Sequence, residues 1–198
     1  MAGLIPVADG DVATVVTSLE MTRRPPLRPL PPSPLRMIAW ERAAPERYRT
    51  LFRRVGAPWL WFSRLALDDA ALVRIVHDPG VAVFAVVDRA GVELGMVELD
   101  FRGPGACAIA YFGLVPELAG RGHGRWLMAE TLARCWIKGI ARVRVNTCTL
   151  DHPSALGFYR AQGFQAVART LETFPDPRAS GLLPADAAPQ IPYLTSRR

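Results

Sequence analysis

The amino-acid sequence predicts an α+β (mixed α/β) fold, and three features of its pattern lead to that prediction. Segments rich in β-branched or alternating apolar residues recur along the chain, as expected for strands. A short turn at 88–91 joins two of them into a β-hairpin, and a helix-length segment at about 122–138 separates two others. Because a helix between two strands is typical of a parallel crossover and a hairpin is antiparallel, we predict a mixed sheet.

The first third of the chain predicts one strand, one extended segment and two helices. Residues 11–20 are rich in Val and Thr and predict a strand, whereas 23–36 hold six prolines and must be extended or polyproline-like. Helices are predicted at 46–55 and 69–77, and Asp68 is a candidate N-cap for the second.

Strands and helices alternate through most of the remaining chain. The helix at about 122–138 presents one apolar face and is expected to end at Gly139. A helix at 152–162 begins with Pro153, and we expect Asp151 to help cap it. Strands are predicted at 81–88, 92–101, 106–115, 141–150 and 164–174.

The composition favours one domain. Half of the 198 residues are apolar (50%), which is enough for one buried core. We expect a single domain over 1–198, with its core at about 11–174 and a Pro-rich tail or wrapping segment at 175–198. No apolar run reaches the roughly 18–20 residues that span a bilayer, and no secretory signal pattern opens the sequence. We therefore predict a cytoplasmic protein without a membrane partner.

Positive charge is concentrated in one region. The formal net charge is +6, and ten arginines fall within 21–64 against two acidic residues. Such a block can meet an anionic partner, and a solvated face is the alternative. Because prolines interrupt the 23–36 stretch, it suits a wrapping arm better than an element that reads a nucleic-acid groove. Nucleic acid is therefore not the expected partner.

The three cysteines indicate structural thiols. Cys107, Cys135 and Cys148 lie in apolar or alternating segments, without CxxC spacing or neighbouring histidines. We expect reduced cysteines, no metal site and no cysteine nucleophile.

A glycine-rich turn at the start of a predicted helix is the clearest candidate binding site. Gly120, Gly122 and Gly124 alternate there, so the backbone can approach a ligand closely. The first amides of a helix lack internal acceptors and favour anions, which predicts a cradle for a pyrophosphate. The charged residues Arg121 and Arg125 would strengthen it, His123 could add a donor, and a merely flexible turn is the alternative.

Two ordered motifs carry a family resemblance. AGRGHG (119–124) is similar to the pyrophosphate loop Q/R-x-x-G-x-G/A of the GCN5-related N-acetyltransferase (GNAT) family, with Ala119 in place of Gln or Arg. HPSALGFYRAQGF (152–164) matches the family block N-x-x-A-[IL]-x-x-Y-x-x-x-G-F, with His152 in place of Asn. The sequence therefore resembles this family over about 11–174.

The resemblance implies a fold, a co-substrate and several roles. The fold would be a central mixed, mostly antiparallel sheet flanked by helices, and the co-substrate would be acetyl-CoA. Backbone groups of Leu114 and Val115 would bind the pantetheine arm and polarise the thioester carbonyl, with His152 beside the arm. Tyr159 would be the general acid that protonates the leaving thiolate.

The general base and the acceptor side remain open. Glu98 and Asp100 are two residues apart on one predicted strand, and acids on one face are costly to bury unless water reaches them. We expect both to face an acceptor cleft, with Glu98 as the base and Asp100 attracting a cationic acceptor. A chain of waters is the alternative to Glu98. Trp61 is expected to line the acceptor side, and core packing is its alternative role.

The sequence thus predicts an enzyme that transfers acetyl from acetyl-CoA to a primary amine of a small molecule or a protein. One alternative is a non-catalytic acyl-CoA sensor, and another is anionic-partner binding through residues 23–64. Homodimers are frequent in the family, so a homodimer is one expected assembly.

Overall fold

The computed structural model describes residues 3–26, 29 and 31–194. Positions 27, 28 and 30 of the predicted Pro/Arg-rich segment, and 195–198 of the predicted tail, lie outside the described residues. No helix in the described ranges is long and apolar enough to cross a bilayer.

A seven-stranded sheet organises the described residues and confirms the predicted mixed class. The strand order is β2-β3-β4-β5-β6-β1-β7, and β5 with β6 is the parallel pair, whereas the other neighbours are antiparallel. The strands are β1 (Asp11–Met21), β2 (Arg36–Trp40), β3 (Val81–Val87), β4 (Glu93–Asp100), β5 (Ala106–Leu114), β6 (Arg142–Cys148) and β7 (Gln165–Pro175).

Two pairs of helices cover opposite faces of this sheet. The helices are α1 (Pro45–Gly56), α2 (Asp69–Val76), α3 (His123–Cys135) and α4 (Ala155–Ala161). The first pair packs with Val83 and Met96 in one apolar cluster, and the second pair packs with Val97 and Val143 in another. We call these the α1–α2 face and the α3–α4 face. Strands β1 to β5 contribute to both because their side chains alternate.

Helix ends agree with the sequence pattern in one case and differ in two. The Asp68 carboxylate accepts a bond from the Ala71 amide, as expected of an N-cap. The end predicted for α3 at Gly139 is wrong, because the helix stops at Cys135 and Gly139 occupies a later turn. Asp151 does not cap α4, because its carboxylate accepts bonds from the Thr147 hydroxyl and the Cys148 amide.

Strand β2 was not predicted from the sequence. It pairs antiparallel with β3 and begins at Arg36, where the Pro-rich stretch ends. Five residues next to prolines give too short an alternation to predict a strand, and pairing with β3 supplies what local preference lacks.

The tail after β7 folds back on the domain up to residue 194. Buried Arg178 forms an ion pair of 2.7 Å with Asp176, and its guanidinium also donates to the carbonyls of Ala187 and Ile191. Leu183 is buried in the cluster of the α1–α2 face. The described part of the tail is therefore a wrapping segment held by one buried arginine.

Candidate active site

A gap between β5 and β6 forms the centre of the candidate site. The two strands pair only along Ala106–Ile109 of β5. Beyond this point β5 has one extra residue, Ala110, because Leu99 faces Ile109 whereas Glu98 faces Tyr111. Such a bulge bends a strand, and here the parallel pairing ends beside it.

A cavity of about 390 Å³ occupies this gap, mainly on the α3–α4 side, and continues past the end of β5, where Trp61 and Tyr111 of the α1–α2 cluster also border it. It brings together most of the binding residues predicted from the two motifs. Its walls include Leu114, Gly120, Gly122, Gly124, His152 and Tyr159.

The glycine turn has the backbone geometry that the sequence suggests. Gly120 (φ +72°) and Gly122 (φ +82°) are left-handed, and a Cβ at either position would meet nothing within 4 Å. Glycine is therefore required at these two positions by the backbone conformation and not by steric crowding. Gly122 is the N-cap of α3 and provides no side-chain cap. The Arg125 amide donates to the Gly122 carbonyl at 3.2 Å, and the amides of His123 and Gly124 remain available to an anion at the start of this 13-residue helix.

The three polar side chains predicted beside the cradle are placed differently. Arg125 borders the cavity, whereas Arg121 and His123 do not. The Nδ1 atom of His123 lies 3.2 Å from the Ser33 hydroxyl, which ties the start of α3 to the Pro-rich stretch. Arg125 is therefore the side chain that adds positive charge to the cavity wall.

The end of β5 offers main-chain groups to the cavity through Leu114. Val115 also borders the cavity, but its amide donates to the Leu94 carbonyl at 2.9 Å and is therefore already paired. Successive residues of a strand direct their N–H and C=O groups to opposite sides, and those of Leu114 and Phe112 therefore point away from β4 towards the gap. These two residues provide the polar main chain beside which an extended ligand can lie.

Tyr159 stands at the inner end of the cavity. Its side chain is buried on α4, with aromatic neighbours Phe112, Phe158 and Phe164 at ring-centroid distances of 5.7–6.2 Å. Burial raises the pKa of the Tyr159 phenol, and the charge of Asp151 raises it further. The phenol is therefore protonated at neutral pH and available as a donor.

His152 and Trp61 both border the cavity on its outer side. The Nδ1 atom of His152 lies 2.7 Å from the Ser154 hydroxyl, and its ring contacts Trp59 at 5.4 Å. Trp61 packs against Gly113, where a Cβ would lie 3.2 Å from the indole. Trp61 therefore both lines the cavity and packs against β5, so the two roles considered for it are not exclusive.

Glu98 does not face a water-filled cleft, and that expectation is wrong. Its side chain is fully buried and is absent from the cavity wall. The Tyr48 hydroxyl donates to its carboxylate at 2.5 Å, and the Arg64 guanidinium donates at 2.6 Å. The Arg64 guanidinium therefore neutralises the buried charge, and the Tyr48 phenol supplies a hydrogen bond that water would otherwise provide. Burial, followed by the charge of Glu98, raises the pKa of the Tyr48 phenol.

Asp100 shares the face of Glu98, as alternation requires, but belongs to a different contact. Its carboxylate forms an ion pair of 2.5 Å with Arg102, and it does not border the cavity. The hydrogen bond from Arg102 lowers the pKa of Asp100. Neither carboxylate is free to attract a cationic acceptor.

Asn146 is a cavity residue that sequence reasoning did not single out. It follows Val145 on β6 and borders the gap from the strand opposite β5. Its position within an alternating strand was visible in the sequence, but the place where β5 and β6 separate was not. Within the described ranges, no three His, Cys, Asp or Glu side chains are grouped so as to hold a metal ion.

Comparison with known proteins gives a family match and a set of structural neighbours. Residues 36–164 match the model of the acetyltransferase (GNAT) family, which is 129 of the 198 residues. No curated protein matches the sequence significantly.

Several solved structures share the fold. A GCN5-related N-acetyltransferase from Sphaerobacter thermophilus is 19% identical with a TM-score of 0.58, over 82% of this chain and 51% of that chain. An acetyltransferase from Thermus thermophilus is 17% identical with a TM-score of 0.52, over 71% and 96%. A spermidine N-acetyltransferase chimera from Vibrio cholerae and hSSAT is 19% identical with a TM-score of 0.52, over 67% and 82%.

The TM-scores show a common fold and confirm the sheet architecture expected from the resemblance. The chain spans 51–63% of the length of several neighbours, including 60% of a GCN5-related N-acetyltransferase from Kribbella flavida.

Proposed function

Because the chain belongs to the acetyltransferase (GNAT) family, we propose that it transfers an acetyl group from acetyl-CoA directly to a primary amine. Membership of the family supports acyl transfer in general. The observation that carries the finer proposal is the single cavity that joins the glycine cradle, the free main chain of β5 and the Tyr159 phenol.

The cavity has a suitable group for each part of acetyl-CoA. The amides at the start of α3 suit the pyrophosphate, and Arg125 adds a positive charge beside them. The main chain of Leu114 and Phe112 suits the amides of the pantetheine arm, which would lie along β5 into the gap. In this arrangement the thioester would lie near Tyr159, between Ala110 and Asn146, which border the same cavity.

The chemistry then needs one nucleophile and one acid. The nitrogen of the neutral amine attacks the thioester carbonyl carbon, the C–N bond forms, and the C–S bond breaks. Tyr159 donates its proton to the departing thiolate, and a raised phenol pKa ensures that the proton is present beforehand. The nitrogen of the tetrahedral intermediate loses its extra proton to water, which leaves a neutral amide, and Tyr159 regains a proton from solvent.

The structure favours a chain of waters over Glu98 for deprotonating the acceptor. Glu98 is enclosed by Tyr48 and Arg64, and it borders neither the cradle nor the gap. We propose that Glu98 positions the segment that carries Arg64, and that it takes no proton from the acceptor.

Binding of an anionic partner through residues 23–64 has less support. Arg47, Arg49 and Arg64 are already paired with Glu93, Asp69 and Glu98. These pairs neutralise part of the charge that the sequence concentrates in this region.

The test is release of CoA thiol from acetyl-CoA in the presence of a panel of small amines and peptides, with the acetylated product identified by mass. We expect amine-dependent thiol release in which one acetyl group is gained for each thiol released. Saturable acetyl-CoA binding with no product from any amine would support the acyl-CoA sensor instead.

A further inference from the structure

A second cavity lies on the opposite side of the sheet, where β5 and β6 separate. It has a volume of about 420 Å³ and is lined by side chains from β1, β5 and β6. Four residues border both this cavity and the first cavity, which we proposed to bind acetyl-CoA: Ile109, Ala110, Val145 and Asn146. The two cavities therefore meet within the gap and approach it from opposite faces.

Strand alternation explains which polar side chains border the second cavity. Val143 and Val145 of β6 face the α3–α4 core, so Arg144 and Asn146 face the other way. Leu19 of β1 faces the same core, which places its neighbours Ser18 and Glu20 beside Arg144 and Asn146. The floor is formed by Ala108 and Ala110, whose small side chains leave room above β5.

Arg144 is the charged group best placed to bind something in this cavity. Its Nε atom donates to Glu20 at 2.8 Å, which fixes the guanidinium and neutralises the carboxylate. Among the described residues, its two terminal nitrogens make no hydrogen bond or ion pair. The Arg144 side chain is 49% exposed and that of Glu20 is 21% exposed, so the guanidinium is the more accessible partner.

We propose that this second cavity binds the acceptor and that Arg144 selects an amine that also carries a carboxylate a few bonds away, such as a dipeptide. The inference rests on the proposed function. A guanidinium with its terminal nitrogens free binds a carboxylate through two parallel hydrogen bonds. Arg144 and Asn146 are roughly 7 Å apart along β6, so a carboxylate at the first leaves the amine near the gap at the second.

This assignment replaces the cationic acceptor expected from Glu98 and Asp100. Those two carboxylates are occupied by Arg64 and Arg102, and neither borders the second cavity. Of the polar groups that do border it, Arg144 is the positive charge with donors to spare, Ser18 and Asn146 can donate or accept, and Glu20 already accepts from Arg144. An acceptor with a single negative group is the matching chemistry.

The test compares dipeptides with the corresponding dipeptide amides, which have similar α-amine pKa values and differ in the carboxylate. We expect kcat/KM for the dipeptide to exceed that for the amide by about tenfold or more, the usual effect of a hydrogen-bonded charge. Arg144→Gln should remove this preference by raising KM for the dipeptide while leaving kinetics with the amide unchanged. Arg89→Gln removes the same charge from the exposed β3–β4 turn and should change neither.

Calorimetry separates this inference from the proposed function. Acetyl-CoA binding is measured first, and dipeptide binding to the ligand-free protein is measured independently of turnover. If acetyl-CoA binds but amides or diamines are bound and acetylated as well as dipeptides, the Arg144 assignment is wrong and the donor site stands. If no dipeptide binds, or if Arg144→Gln weakens dipeptide and amide equally, the assignment is likewise overturned. Absence of acetyl-CoA binding would instead contradict the proposed function.

Discussion

Arg64 and Glu98 form an ion pair of 2.6 Å in which the carboxylate is fully buried. The same guanidinium stacks over the Tyr111 ring at 5.1 Å. The pair therefore joins the segment after α1 to the centre of β4 and to the start of the gap in β5. Its role in fixing this part of the sheet is separable from any role in proton transfer.

Replacing Glu98 should affect stability more than chemistry. Glu98→Gln leaves Arg64 partly unpaired in a buried site, and such losses cost about 3–5 kcal/mol. Urea unfolding measures this cost. As a control, Glu93→Gln removes a more exposed pair with Arg47 and should cost less than about 1 kcal/mol. A Glu98→Gln protein of normal stability that loses the acidic limb of its pH–rate profile would instead identify Glu98 as the base.

Tyr159→Phe should lower kcat without weakening acetyl-CoA binding. Loss of a positioned general acid reduces rates by about 10²–10⁴-fold, whereas the ring and its packing are retained. Burial raises the phenol pKa, so the wild-type rate should show no alkaline loss below pH about 10, the ordinary value for tyrosine. Single-turnover kinetics and acetyl-CoA titration check both points. Tyr193→Phe, in the tail, is the control, and an equal loss in the two variants would argue against the acid role.

The glycine cradle gives a prediction with a matched control. Gly122→Ala forces a left-handed residue to carry a Cβ, which costs roughly 1–2 kcal/mol. Gly91→Ala introduces the same strain at φ +85° in the β3–β4 turn, also without steric contact. We expect similar losses of stability in thermal unfolding, but weaker acetyl-CoA binding only for Gly122→Ala. Equal affinities in the two variants would exclude the cradle as the binding site.

The buried ion pair between Arg178 and Asp176 in the tail should make the free energy of unfolding depend on pH. Burial alone would raise the pKa of Asp176, but the hydrogen bonds from Arg178 outweigh it and lower the value from 3.8. A lowered folded-state pKa stabilises the protein above the unfolded value and loses that contribution as pH falls below about 4. Denaturant titration between pH 6 and about 3 should therefore show a smaller decrease for Asp176→Asn than for wild type. Identical decreases would mean that this pair contributes nothing to acid sensitivity.

Alternation and turn residues were sufficient to predict six of the seven strands and all four helices among the described residues. They also predicted the cradle, because Gly120 and Gly122 act through local backbone conformation. The burial of Glu98 against Arg64 and Tyr48 was not predictable in this way. Its partners Arg64 and Tyr48 lie 34 and 50 residues away, and alternation identifies a shared face without revealing what covers it.

The second cavity illustrates the same limit. Arg144 and Asn146 could be placed on one face of β6 from the sequence, but their position beside β1 follows from the strand order β5-β6-β1. That order depends on long-range pairing, for which local pattern carries little information. The sequence pattern could therefore point to Glu98 and Asp100 on the acceptor side, but it could not reveal that both are paired with arginines.

Calorimetric titration with acetyl-CoA and with acetyl-pantetheine tests most directly whether the gap between β5 and β6 is an acetyl-CoA site. The two ligands share the thioester and the arm, but only acetyl-CoA has the pyrophosphate that the start of α3 should bind. We expect saturable binding of acetyl-CoA at one site per chain and an affinity for acetyl-pantetheine lower by about tenfold or more. Equal affinities, or no binding of acetyl-CoA, would contradict the assignment.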